Sequence, residues 1–113
     1  MFHLVTREDW SQQSGQAEYL PAAFTNDGFI HCTDGEENVI AVGNRYYTAD
    51  PRSYICLVLD PVLIKAPVKY EDPARIYPHI YGPLNLNAVI GYRVVVRDDE
   101  GVFLRLEPET ADT

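Results

Sequence analysis

The chain has 113 residues, of which 46% are hydrophobic and 12% aromatic, and its formal net charge is −8. This length and composition predict one domain with a core, which we place at residues 1–106, followed by an acidic polar tail at 107–113. The sequence has no apolar window of membrane-spanning length, no signal-peptide pattern and no basic stretch suited to duplex DNA or RNA. We therefore expect a cytoplasmic protein without a membrane or duplex nucleic-acid partner.

Short elements are predicted in the first third of the chain. Residues 1–6, "MFHLVT", form a candidate strand, and Thr6 is a candidate N-cap for a short helix that follows. Residues 17–28, "AEYLPAAFTNDG", indicate a helical turn that breaks at Pro21 and ends in a turn. Residues 29–33, "FIHCT", are typical of a short, mostly buried strand.

One clear helix is predicted at about residues 35–47. Thr33 and Glu36 have the spacing of a capping box, and acidic residues in the first turn complement the helix dipole. These acidic residues favour capping over anion binding at Thr33, because they would repel a phosphate. Four apolar or aromatic residues recur on one face: Val39, Ile40, Tyr46 and Tyr47. Gly43 lies between them and either permits close packing or weakens the helix.

The second half of the chain is rich in predicted strands. Residues 53–60 form an apolar run typical of a central strand that is buried on both faces. Further strands are predicted at residues 68–71 and 88–97, and the turn at 98–101 leads into a hairpin partner. About six or seven strands with one good helix and one or two poor ones indicate an α+β domain.

The three histidines, His3, His31 and His79, all lie in apolar or proline-constrained segments. Three backbone-bonded structural histidines are one interpretation, and a shared site is another. A zinc site with Cys32 is a further alternative, but no short His or Cys pair supports it, so we expect no metal. Cys32 could also be a nucleophile, with His3 or His79 as its base. The other cysteine, Cys56, lies in an apolar run too, and buried thiols are the simpler interpretation of both.

A rigid loop surrounds the third histidine. Pro78 and Pro83 frame His79, Tyr81 and Gly82, and Tyr77 precedes them. Prolines fix side-chain positions in such a loop, and tyrosine faces suit a nicotinamide, an adenine or another planar group. A connection whose tyrosines cover the edge of the core is the alternative.

Several motifs together resemble a bacterial family of unknown function, DUF952. These are "GFIHCT" followed by a helix, "YPHIYGPL" before the last strands, a start like "FHLVT", Trp10, and an element from Val68 to Glu71. The resemblance extends over nearly the whole chain and ends near Val96.

This family is thought to be similar to the ADP-ribosyltransferase fold and, more loosely, to RNA 2′-phosphotransferases. The resemblance implies a split, strongly bent pair of antiparallel-rich sheets with one main helix and NAD in the cleft. His3 would bind the ribose on the nicotinamide side, and His31 and Thr33 would line the cleft. Tyr46 or Tyr47 would lie near the nicotinamide. His79, Tyr81 and Gly82 would close the cleft, with the three histidines as catalytic residues.

The chain also departs from the transferase pattern. The segment "YGPLNLNAVIGY" has Asn85 and Asn87 but no glutamate to stabilise an oxocarbenium-like state, and an asparagine cannot supply that charge. Arg7, Arg45 and Arg75 do not clearly align with the phosphotransferase arginines. We therefore keep two alternatives to ADP-ribosyl transfer: a non-catalytic module that binds a nucleotide or a protein, and a histidine-based metal-dependent hydrolase.

Overall fold

A computed structural model describes residues 1–108 of the chain. Its strands and α-helices, in chain order, are β1 (Phe2–Thr6), α1 (Arg7–Gln13), β2 (Glu18–Tyr19), α2 (Phe24–Asp27), β3 (Ile30–His31), α3 (Glu36–Tyr46), β4 (Tyr54–Leu59), β5 (Val68–Tyr70), β6 (Pro78–Ile80), β7 (Leu84–Asn85), β8 (Val89–Arg97) and β9 (Phe103–Pro108). The predicted α+β class is confirmed. Residues 1–108 contain nine strands, more than the predicted six or seven, and β2, β6 and β7 are the strands that the sequence did not predict.

The strands form three antiparallel sheets. The first has the order β1-β4-β8-β9, the second has the order β3-β6-β5, and β2 pairs with β7. Phe2 and Thr33 join the first two sheets through an isolated antiparallel bridge with reciprocal 2.8 Å hydrogen bonds. This bridge holds the amino-terminal strand against the segment that contains His31.

The apolar run at residues 53–60 forms the central strand β4, as predicted. It lies between β1 and β8, and five of its six residues are buried. A fully buried aliphatic or aromatic side chain contributes roughly 1.5–3 kcal/mol, so this strand anchors the core. The hairpin of β8 and β9 is also confirmed.

The main helix is confirmed at Glu36–Tyr46, but its predicted cap is wrong. The N-cap is Gly35, whose φ of 90° favours glycine, and no side chain caps the helix. Thr33 lies two residues before this N-cap, where it forms the bridge to Phe2. Gly43 permits close packing, since a Cβ there would lie 2.2 Å from the Phe103 ring. Tyr46 departs from the predicted apolar face and is 64% exposed.

The other predicted boundaries are partly correct. Thr6 caps α1 as predicted, and its Oγ1 accepts a 3.2 Å hydrogen bond from the Asp9 amide. Strand β9 continues to Pro108 and so includes Glu107, although the sequence predicts that the tail begins at this residue. The remaining tail, 109–113, lies outside the described residues. Within residues 1–108, no helix combines the length and apolar character that a membrane crossing requires.

Candidate functional site

His3 lies on β1 and is 6% exposed. Its Nδ1–H donates to the main-chain oxygen of His31 at 2.6 Å, and its Nε2 accepts from the Tyr19 hydroxyl at 2.9 Å. A carbonyl only accepts, so these partners fix the neutral tautomer with the proton on Nδ1. Burial lowers the pKa of His3 to about 4. His3 is therefore a neutral residue that positions Tyr19 and the His31 main chain.

His31 faces outward from β3. Its side chain is 59% exposed, and its Nε2 lies 2.8 Å from an Asp27 carboxylate oxygen. Its neighbours Ile30 and Cys32 are buried, as the two-residue period of a strand requires. Asp27 ends α2, and Gly28 turns the chain with a φ of 77° so that β3 returns beside the carboxylate.

His79 lies directly opposite His31 in the β3–β6 ladder, and their ring centroids are 5.5 Å apart. Phe29 stacks on His79 at 3.9 Å with an interplanar angle of 17°. The Nδ1 of His79 is 3.1 Å from Glu71 Oε1, which also accepts from the Tyr81 hydroxyl. The Tyr81 and His79 hydrogen bonds lower the pKa of Glu71. The geometry thus forms two neighbouring histidine–carboxylate pairs around one phenylalanine.

Two cavities adjoin this ladder. The first, of about 300 Å³, is bounded by β1 and the loop before α2, and its ring-bearing lining residues are Phe2, His3, Tyr19, Phe29, His31, Tyr47 and Tyr54. The second, of about 400 Å³, is lined by His31, Cys32, Thr33, Ala41, Val42, Arg45, Tyr46, Glu71, Asp72, Tyr77 and His79. The two share His31, Thr33 and Val42. A third cavity, of about 490 Å³, lies beside the β8–β9 turn and is lined by none of the three histidines.

The structure brings most of the predicted site residues to these two cavities. His3 and Tyr47 line the first, and Tyr46 and His79 line the second. Tyr81 lines neither cavity but reaches the second through Glu71.

Gly82 stands apart from both cavities. A Cβ there would lie 3.0 Å from that of Ala66, so this glycine serves local packing. Gly82 is therefore not among the residues that the structure brings to these two cavities.

The cysteines are confirmed as buried free thiols. Burial raises the pKa of Cys32 far above its ordinary value and raises that of Cys56 to about 12. A buried, protonated thiol is a poor nucleophile. The alternative of a Cys32 nucleophile is therefore not favoured.

The alternative of a three-histidine metal site is not favoured either. Both nitrogens of His3 are hydrogen-bonded to protein groups. In the part of the chain that the structure describes, no three His, Cys, Asp or Glu side chains are placed to hold one metal ion.

Four residues of the site were not predicted from the sequence: Tyr19, Asp27, Phe29 and Glu71. The spacing of Asp27 and His31 was a usable signal, because a tight glycine turn between them returns the chain on itself. Glu71 had no such signal, since only the β5–β6 pairing brings it to His79.

Comparisons with known proteins agree with this architecture. The family model described as "Protein of unknown function (DUF952)" matches residues 4–92. The crystal structure of protein CC0527 from Caulobacter crescentus is 22% identical, covers 91% of each chain and has a TM-score of 0.76. The solution NMR structure of the same protein is 21% identical over 89% of this chain and 88% of that chain, with a TM-score of 0.71. At these sequence identities, the similarity shows only that the two proteins share a fold. No curated protein matches the chain.

Proposed function

The chain belongs to the family of unknown function DUF952, and we propose that it binds a nucleotide of the NAD or ADP-ribose class on an ADP-ribosyltransferase-like fold. One observation carries the proposal: two cavities, of about 300 and 400 Å³, meet at His31, Thr33 and Val42. Each is at or above the lower end of the roughly 300–1,000 Å³ range of small-molecule sites. A dinucleotide has two ring-bearing halves, and the adjoining cavities offer each half a compartment.

The lining of the first cavity suits a planar ring beside a ribose. Phe29, Tyr47 and Tyr54 supply aromatic surface. His3 keeps the Tyr19 hydroxyl fixed at the cavity wall, so in this proposal it acts on the ribose through Tyr19. Arg52 also lines this cavity, but it is paired with Asp50 at 2.7 Å, which lowers the pKa of that carboxyl.

The lining of the second cavity suits a phosphate and a second ring. Arg45 lies over the Tyr46 ring at 5.4 Å and has no carboxylate partner among residues 1–108. A guanidinium without an ion pair is a good donor for a phosphate oxygen. Tyr46 and Tyr77 provide the aromatic surface, and His79 closes the far side. Tyr81 contributes through its hydrogen bond to Glu71.

A titration followed by two-dimensional amide NMR tests this proposal. NAD and ADP-ribose, added separately, should shift resonances of residues 2–6, 29–34 and 77–84. Val42→Trp should fill the junction of the cavities and weaken binding at least tenfold. Glu37→Trp places the same ring at an exposed position of α3 that lines neither cavity, and it should bind like the unmodified protein. The absence of shifts at millimolar ligand would refute the proposal.

A non-catalytic nucleotide-binding module is the second candidate, and the first cavity favours it. Asp9 is the only carboxylate among its described lining residues. Glu71 lies at the other cavity and is engaged by His79 and Tyr81. Cleavage of the bond between ribose and nicotinamide needs a negative group near the ribose. Chromatography for free nicotinamide after incubation with NAD separates the candidates, because a binding module releases none.

A further inference from the structure

We propose that His31 and His79 form a general base and general acid pair that hydrolyses a cyclic phosphodiester of a nucleoside bound in the second cavity. This inference rests on the proposed nucleotide site, since it uses one of its two compartments. It adds a reaction that the binding of NAD or ADP-ribose does not require.

The arrangement of the two rings carries the inference. Their centroids are 5.5 Å apart, and both rings line the same cavity. Each histidine is held by a carboxylate through one nitrogen: His31 through Nε2 by Asp27, and His79 through Nδ1 by Glu71. Within residues 1–108 the other nitrogen of each ring makes no hydrogen bond. Two oriented imidazoles at this separation can reach two oxygens of one phosphate, each within about 3 Å.

The surroundings assign a role to each histidine. His79 is 20% exposed, stacks on Phe29 and faces the ionised Glu71. Both histidines have a carboxylate partner and both contact Phe29, so their exposure to water separates their roles, and the less exposed His79 is the general acid. His31 is 59% exposed and open to water, so it is the general base, with Asp27 orienting its ring.

The rest of the cavity selects the substrate class. Arg45 offers a guanidinium to the phosphate, and Tyr46 and Tyr77 offer faces to a base. The two acidic lining residues are already satisfied: Glu71 by His79 and Tyr81, and Asp72 by two main-chain amides. A volume of about 400 Å³ suits one nucleotide rather than two. The phosphodiester must then lie within that nucleotide, which makes it cyclic.

The reaction balances without a further reagent. His31 removes a proton from water as the water oxygen bonds to phosphorus. The bond between phosphorus and one ribose oxygen breaks, and protonated His79 gives that oxygen a proton. One water and one cyclic phosphodiester become one phosphomonoester with a free hydroxyl. The two histidines then exchange protons with solvent to restore their starting states.

Phosphorus-31 NMR tests the inference. The full chain is incubated with the nucleoside 2′,3′-cyclic monophosphates of the four bases and, in a second experiment, with 3′,5′-cyclic AMP. We expect phosphomonoester formation with a bell-shaped pH dependence. His31→Ala and His79→Ala should each lower kcat/KM at least 100-fold, and the double variant should lose little more, because the pair acts as a unit. His31→Ala should also remove the acidic limb of the pH profile.

Two further variants separate chemistry from folding. Arg45→Ala should raise KM with little change in kcat. Arg105→Ala removes an exposed arginine of β9 and should retain full activity. His79→Gln, which keeps a polar side chain, should be as inactive as His79→Ala while its amide spectrum remains that of a folded protein.

The outcomes distinguish this inference from the proposed function. Cyclic nucleotides that bind and are not hydrolysed would overturn the acid–base pair and leave the nucleotide site standing. Neither binding nor hydrolysis of any nucleotide would overturn both. Full activity in either histidine→alanine variant would also overturn the assignment of these two residues.

Discussion

Acid should destabilise this protein in a pH range set by His3. The ring is neutral in the fold, because burial lowers its pKa from 6.5 to about 4. In the unfolded chain it titrates at its ordinary value. Between these two values the unfolded state binds more protons than the folded state, so the free energy of unfolding falls as the pH falls. The contribution of His3 is fully present above pH 6.5 and is lost progressively toward pH 4.

The size of the effect follows from the two pKa values. For one group that titrates at 6.5 in the unfolded chain and at about 4 in the fold, linkage gives a loss of about 2 kcal/mol between pH 7 and pH 5. Native proteins are stable by only about 5–15 kcal/mol, so such a loss is measurable. The pKa values of Asp50, Glu71 and Asp72 are lowered in the fold, so their contributions are lost at more acidic pH.

Urea unfolding monitored by circular dichroism at intervals from pH 7 to pH 5 measures this loss. His3→Gln removes the titrating group and keeps an atom that can accept from Tyr19. The difference between the two proteins isolates His3, because the other titrations occur in both. Tyr19→Phe should cost about 1–3 kcal/mol at pH 7, since it leaves a buried ring nitrogen without a donor.

One result would refute this reasoning. If the unmodified protein and His3→Gln lose the same free energy of unfolding between pH 7 and pH 5, His3 does not titrate differently in the folded and unfolded states. The hydrogen bonds to His31 and Tyr19 would then not hold a neutral ring.

Two predictions concern residues that line neither of the two cavities of the site. Gly43→Ala should destabilise the fold by about 1–2 kcal/mol in urea unfolding, because the new methyl group must displace the Phe103 ring and this cost outweighs the gain in helix propensity. Gly91→Ala is the control, because there is open space around Gly91. Equal urea midpoints for the two variants would contradict the prediction. Arg97→Ala should cost about 1–3 kcal/mol, because its guanidinium donates to several main-chain carbonyls that would lose their partner. Arg105→Ala should change stability by less than about 0.5 kcal/mol, and a similar loss in both arginine variants would exclude the carbonyl network as the cause.

Local patterns were sufficient for the elements that depend on nearby residues. The apolar run of β4, the cap at Thr6, the turn before β9 and the body of α3 follow from sequence spacing, and all appear in the structure. The cap of α3 was mispredicted for a tertiary reason. Thr33 has the local spacing of a capping box, but the bridge ties it to Phe2, and the helix begins only at Glu36, after Gly35 has turned the chain.

The histidines of the candidate site and several of its tyrosines were predictable from the sequence, but the residues that hold them were not. The histidines and tyrosines stood out because polar or aromatic groups interrupt apolar segments. Their partners did not, because Tyr19 and Glu71 reach them only through sheet pairing and side-chain contacts across the fold. His3 is the clearest case. The family resemblance implied a contact with a ribose, whereas the two hydrogen bonds of His3 show a residue that supports the wall of the cavity.

The histidine in the apolar segment "GFIHCT" follows from the two-residue period of the β3–β6 ladder. On β3, Ile30 enters the core while His31 faces outward, and on β6 Ile80 enters the core while His79 faces outward. The motifs around the two histidines are therefore one structural unit, in which core packing fixes the register and the register pairs the imidazoles. A slip of one residue on either strand would bury a histidine and expose an isoleucine. The apolar residues of both motifs thus set the geometry on which the proposed chemistry depends.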